Sequence, residues 1–294
     1  MFYTERDDRL KIGVVDVGGG LRGGYAAGVF DRLTEENIHF DVCIGVSAGS
    51  ANCASFLAGQ KGRNYPFYTD YPFRREYMSI GNIIHKGCYL DLHYIYSELS
   101  NSDGENPLDC AALLDSPSAY FVVATNAATG EAKYFTKEDI SQDHYDVFKA
   151  SCAIPVACQP IVIDGQPYYD GALSDPVPLQ KAFDLGCDKV VLILTRPKDE
   201  WRSPKKDIRS ARFIQKKYPK AADGLRRRAA RYNVAVTWAK KLEQEGKVLI
   251  VAPDDTCGIS TRTKDKNALK LFYQKGYADG QGLAERLRKQ ERGI

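Results

Sequence analysis

A serine stands between two glycines at Gly45-Val46-Ser47-Ala48-Gly49, the pattern G-x-S-x-G. Glycines at those positions let the chain turn sharply from a strand into a helix, and the turn pushes the central hydroxyl outward as a nucleophile. The same serine could cap the following helix, and the two roles are compatible because that helix end also stabilises developing negative charge. A second glycine run, Gly18-Gly19-Gly20-Leu21-Arg22-Gly23, lies upstream. It fits two mechanisms. Its backbone N–H groups could form an oxyanion hole for a tetrahedral intermediate on Ser47, or Gly18, Gly20 and Gly23 could form a G-x-G-x-x-G cradle for a dinucleotide pyrophosphate. The cradle wants an acid at the far end of the next strand, and the only nearby candidate, Asp41, stands at that strand's beginning.

A serine nucleophile needs a base. The histidines are His39, His85, His93 and His144, and none follows Asp170 or any later acid, so the order Ser, acid, His is not available. His144 in another order stays open without a supporting pattern around it. A carboxylate held close to the hydroxyl and partly desolvated could take the proton directly. The best candidate is Asp170 in Tyr168-Tyr169-Asp170-Gly171-Ala172, although aspartate before glycine is also a common turn.

These residues need elements to position them. Lys11–Val17 reads as a strand ending in the glycine run, Gly24–Glu36 as a helix with Tyr25, Val29 and Leu33 on one face, and Asp41–Val46 as a second strand. Strand, helix, strand implies a parallel pair within an α/β layer architecture. A helix of small residues should follow within Ser47–Gly59. Residues 63–106 lose their periodicity and become aromatic, which reads as an insertion or cap. Further strands are expected at Tyr120–Thr125, in a hairpin of Ile161–Ile163 and Tyr168–Tyr169 turning at Asp164-Gly165, at Lys189–Leu194 and at Lys247–Val251. A C-terminal helix spans Asn267–Gln290.

Composition bounds the class. The 294 residues, 44% hydrophobic and 27% charged, can bury a large core and exclude disordered, collagen-like and fibrous chains. No apolar run approaches the roughly 18 residues of a membrane span, and the charged start MFYTERDDRL does not read as a signal peptide, so a cytoplasmic protein is expected. The eight cysteines form no C-x-x-C pair and read as reduced thiols, with no metal site expected. Residues 196–231 hold fourteen basic and four acidic residues, a local +10, so with +3 for the whole chain the remainder carries −7. This block reads as a solvated helical face or as a surface for peripheral contact with an anionic membrane, where each cation adds about 1 kcal/mol. No reader motif or stacking pattern accompanies it, which sets nucleic acid aside.

Together the motifs resemble the patatin family of lipid acyl hydrolases: a glycine-rich oxyanion loop with an arginine (Gly18–Gly23), a G-x-S-x-G elbow (Gly45–Gly49) and a D-G-A triplet (Asp170, Gly171, Ala172), in the family's order. Ala150-Ser151-Cys152-Ala153-Ile154-Pro155 is similar to the segment upstream of the family's acid. The resemblance implies a three-layer α/β/α fold with a mostly parallel sheet, and a Ser47–Asp170 dyad without histidine. It also implies hydrolysis of fatty-acyl esters of phospholipids or related lipids through an acyl-enzyme, with no metal and no cofactor. Arg22 either orders the loop or meets a phosphate head group. The family often has an acid directly before the glycines, whereas here Val17 follows Asp16, which weakens any role for Asp16. The expected layout is a catalytic domain at 11–194, with residues 195–294 supplying the basic block, one strand and a terminal helix packed on the same domain. The partner is a lipid, with no obligate protein partner. The rival readings are a dinucleotide-binding protein using Gly18–Gly23 and a non-catalytic lipid-binding module of the same fold.

Overall fold

The structure is a computed structural model that describes residues 9–260, 263 and 265–291. Its centre is an eight-stranded sheet: β1 (Ile12–Asp16), β2 (Val42–Val46), β3 (Ala119–Asn126), β4 (Ala132–Phe135), β5 (Ile161–Ile163), β6 (Gln166–Asp170), β7 (Lys189–Ile193) and β8 (Val248–Val251). The order is β5-β6-β3-β2-β1-β7-β8, with β4 paired to β3. Strands β3, β2, β1, β7 and β8 run parallel, while at one side β4 and β6 pair antiparallel with β3, and β5 pairs antiparallel with β6.

Among the described residues, ten α-helices surround the sheet: α1 (Gly23–Glu35), α2 (Ala48–Leu57), α3 (Tyr65–Thr69), α4 (Ile80–Lys86), α5 (Cys110–Asp115), α6 (Asp146–Cys152), α7 (Leu179–Asp184), α8 (Lys205–Ile214), α9 (Pro219–Gln244) and α10 (Lys266–Glu291). Successive strand residues face opposite layers. Val14 and Val191 join a core with Tyr25 of α1, Cys53 of α2 and Phe272 of α10, while Val15 and Leu192 join another with Leu179 of α7 and Val236 of α9. The result is the three-layer α/β/α fold expected from the motifs.

Two backbone approaches fix α10 against α1. A Cβ on Gly28 would lie 2.1 Å from Tyr273 O, and one on Gly276 only 1.9 Å from Tyr25 O, so neither position has room for a side chain. Tyr25 also stacks near Phe272 and donates to Asp279 at 2.7 Å.

The expected elements occur with ends shifted by a residue or two; α5, α6 and α7 are additions, and so is β4. Its sequence, AKYF, is too short for alternation to separate it from loop. Residues 63–106 form short helices and turns. Of their aromatic run Tyr68 and Tyr71 are buried, while Phe73 is exposed. All eight cysteines are free thiols, six of them buried.

Candidate active site

Register brings the motifs together. In the β1–β2 pair Asp16 lies opposite Gly45, so the glycine run after β1 and the serine after β2 leave the same edge of the sheet. Val46 lies opposite Val123, and Ala124 lies opposite Asp170, so antiparallel β6 delivers the aspartate to that edge beside the serine.

Ser47 has φ 55° and ψ −132°, a conformation that a non-glycine residue adopts only where its surroundings impose it. The surroundings here are tight. A Cβ on Gly45 would lie 2.4 Å from Ser50 Cα, and one on Gly49 2.4 Å from Asp16 O, so both flanking glycines are required. The Ser47 N–H donates to Ser151 Oγ at 2.8 Å, and Ser50 Oγ donates to Ser47 O at 2.6 Å. Ser47 occupies the cap position of α2, yet its side chain caps no backbone N–H. The hydroxyl instead partners the Asp170 carboxylate, with the Cys152 thiol and Ser50 nearby.

Asp170 is 2% exposed. Burial raises its pKa above the usual carboxylate range, opposed by the Arg228 guanidinium, the Ala172 N–H, the Ser47 hydroxyl and Arg202. Its Oδ1 accepts from Ala172 N at 2.8 Å, so the turn role of an Asp-Gly pair and the contact with serine coexist. Gly171 lies too close to β3 for a side chain, 2.2 Å from Val123 O to a Cβ built there.

Gly18, Gly19 and Gly20 all have positive φ (62°, 137° and 59°), a run that residues with a Cβ rarely adopt. The Gly18 N–H donates to Asp16 Oδ1 at 2.8 Å, and Thr195 Oγ1 donates to Gly18 O at 2.5 Å. Asn52 donates to Asp16 Oδ2 at 2.9 Å and to Gly23 O at 3.1 Å, and receives the Tyr68 hydroxyl at 2.9 Å. Asp16, discounted on sequence because Val17 separates it from the glycines, is therefore the loop's buried anchor. Burial raises its pKa to about 6 against the hydrogen bonds from Asn52 and Gly18. Asp41 stands at the opposite edge, accepting Ile12 N at 2.7 Å, far from a cradle's ribose position.

A cavity of about 60 Å³ lies against Ser47, lined by Gly20, Leu21, Tyr68, Tyr96, Cys152 and Ile154 among others. Arg63 also lines it, with its donors committed to Pro107 O, Ser55 Oγ, Ser100 Oγ and Asn106 O. Among the predicted site residues, Ser47, Ala48, Gly20 and Leu21 face this space, while Gly45, Val46 and Gly49 form the turn beneath them.

The basic block divides. Arg228 forms a two-point pair with Asp207 (3.0 and 2.5 Å), Arg202 meets the same carboxylate at 3.5 Å, and Arg231 donates to Leu173 O at 2.8 Å, one turn past Asp170. Lys205, Lys206, Arg209, Arg212, Lys216, Lys217, Lys220 and Arg227 are exposed. Sequence reasoning kept the whole block apart from the motifs because the contact depends on α9 folding back over the acid turn.

A family model described as patatin-like phospholipase matches residues 17–183, from the residue before the glycine run to a point beyond the acid triplet. The chain belongs to the patatin-like phospholipase family. Lipid acyl hydrolysis is the general activity of patatin-like phospholipases. A second model, a domain of unknown function called DUF6363, matches residues 218–291, which hold α9, β8 and α10. The curated relative YjjU of Escherichia coli strain K12, described as uncharacterized, is 30% identical over 207 residues, covering 69% of this patatin-like chain and 57% of that relative. The chain therefore spans little more than half of that relative's length. Among solved structures, VipD from Legionella pneumophila matches with TM-score 0.48 and 16% identity over 95% of this chain and 67% of its own. No helix among the described residues is long and apolar enough to cross a membrane.

Proposed function

We propose that the chain is a serine acyl hydrolase that cleaves fatty-acyl esters of phospholipids or related lipids, with Ser47 as nucleophile and Asp170 as general base. The observation that carries this reading is the pairing of the Ser47 hydroxyl with a carboxylate whose affinity for protons burial has raised. Asp170 takes the hydroxyl proton as Ser47 Oγ bonds to the acyl carbon. N–H groups of the Gly19–Gly20 turn receive the oxyanion, the Gly18 N–H being held by Asp16. Proton return from Asp170 to the leaving oxygen releases the alcohol, and the same carboxylate then deprotonates the water that hydrolyses the acyl-enzyme.

The cavity beside Ser47 takes the acyl chain. At about 60 Å³ it is well below the ~300–1,000 Å³ of ligand pockets, so a long chain enters only when the cap moves. The exposed cations of the block, with exposed Trp201 and Phe213 beside them, suit peripheral contact with an anionic membrane from the cytoplasmic side, where the free thiols stay reduced. The dinucleotide reading loses support from Asp41, which lies at the wrong edge of the sheet.

A fluorophosphonate probe tests the nucleophile. Wild type is labelled and Ser47→Ala is not; equal labelling of Ser47→Ala ends the proposal. Full esterase activity in Asp170→Asn would remove the dyad while leaving the serine.

A further inference from the structure

Arg22 is 7% exposed, and its Nε has no acceptor among the described residues. The guanidinium lies against the glycine run: a Cβ on Gly19 would stand 3.2 Å from Arg22 Nη2 and 2.6 Å from Thr195 Oγ1. Thr195 directly precedes Arg196, so the bond from Thr195 to Gly18 O carries Arg196 to the same place. Arg202 is held there by reciprocal bonds with Asn233, its N donating to Oδ1 at 2.9 Å and its O accepting from Nδ2 at 3.0 Å. Its guanidinium lies 5.7 Å from the centre of the Tyr232 ring.

The charges in this corner do not balance. Arg22, Arg196, Arg202 and Arg228 supply four positive charges. Glu200 is engaged by Arg196, Asp207 by Arg228 and Arg202, and Asp170 faces Arg228 and Arg202, so the guanidiniums outnumber the carboxylates around them. Burial, reinforced by neighbouring guanidiniums, lowers both Arg22 and Arg202 to about 10, the mark of cations crowded where water is scarce. A structure that buries a guanidinium without an acceptor beside others of the same sign is complementary to an anion. The positive surplus suits a phosphate group, and planar guanidiniums present paired donors to phosphate oxygens. The corner also acts on the reacting groups, since Arg228 and Arg202 are the two cations that lower the Asp170 pKa.

We propose that Arg22, Arg196 and Arg202 form a subsite for a phosphate group carried by the lipid whose ester Ser47 attacks. The assignment rests on the serine hydrolase reading and deepens it. The acyl chain occupies the apolar cavity on the cap side of Ser47, and the phosphate sits on the β7–α9 side of the glycine run. A phosphate close to the scissile ester is thereby selected over an uncharged head group. The subsite joins a residue of the family-matched segment, Arg22, to two beyond it.

The test compares a 1-acylglycerol 3-phosphate with the monoacylglycerol of the same chain length, using wild type, Arg196→Gln and Arg202→Lys, with Lys241→Gln as a charge control on an exposed position of α9. The kcat/KM ratio of the two substrates is expected to exceed tenfold in wild type and in the control, and to fall at least fivefold in both arginine variants. A wild-type ratio near one, or a ratio unmoved by either arginine substitution, overturns the subsite. An independent arm uses Ser47→Ala, which needs no turnover. Inorganic phosphate at constant ionic strength raises its Tm, and the rise is lost in Ser47→Ala/Arg196→Gln; no rise at all overturns the assignment. A phosphate-dependent rise together with a substrate ratio near one shows a free-phosphate site and overturns the head-group assignment. Absence of fluorophosphonate labelling would sink the hydrolase reading separately, with the phosphate arm still decisive.

Discussion

The backbone N–H of Ser47 donates to Ser151 Oγ at 2.8 Å, and that hydroxyl donates in turn to Val123 O at 2.6 Å. One buried side chain thus satisfies both the donor of a strained turn and a carbonyl of the neighbouring strand. Ser151→Ala leaves both groups without their partner, a loss of about 1–3 kcal/mol for a buried group. The variant is expected to lose that much in urea unfolding and to react more slowly with a fluorophosphonate, because the Ser47 N–H then lacks the partner that helps hold its φ 55° conformation. Unchanged stability and labelling rate would show that the bond does not support the elbow.

The Asp170 pKa is raised by burial and held down in part by Arg228. A general base works ionised, so kcat/KM rises with pH through this raised value, with its acid limb above the ordinary carboxylate range. Arg228→Gln removes the cation that favours the ionised form and moves the limb to higher pH. A limb that stays in place shows that Asp170 is not the titrating base.

Asp16 gives a pH effect on stability. Its folded pKa of about 6 exceeds the ordinary carboxylate value of 3.8, so between these values the folded state binds more protons than the unfolded state. Stability contributed by the neutral form is therefore complete below about pH 4 and is lost as pH rises through about 6, by up to roughly 3 kcal/mol. Asp16→Asn cannot ionise, and its stability relative to wild type should climb over that interval. Chemical denaturation at pH 4, 5 and 6.5 measures the trend; parallel curves for the two proteins would contradict it.

In α10, Gly276 and Gly282 separate packing from propensity. A methyl on Gly276 meets Tyr25 O at 1.9 Å, whereas one on Gly282 meets nothing within 4 Å. Gly276→Ala is expected to destabilise by about 1–3 kcal/mol through overpacking. Gly282→Ala should stabilise by about 0.5–1 kcal/mol, since alanine is the better helix former. Thermal unfolding of the two variants reads the opposite signs directly.

The strands, the elbow and the order of the motifs were legible because each is written locally, in β-branched runs ended by glycine and in small residues after Val46. The geometry of the site depends on contacts that no local pattern encodes. Ser151 lies in a segment singled out on sequence, yet its link to Ser47 N depends on α6 packing under the elbow. Asn52 and Thr195 look like ordinary polar residues until the fold brings them to Asp16 and Gly18. The charge surplus of residues 196–231 was visible, but its division into exposed cations and the inward Arg202, Arg228 and Arg231 follows from the faces of α8 and α9.

Ser47 sits at the end of a central strand, whereas Asp170 arrives on β6, which is flanked on its outer side only by the three residues of β5. Borders of a sheet open more readily than its middle. Heat should therefore part the base from the nucleophile through fraying of the β5–β6 hairpin while the parallel strands remain intact. Loss of activity would then precede loss of the fold, and an inactivated sample would recover its dyad on cooling without having to refold.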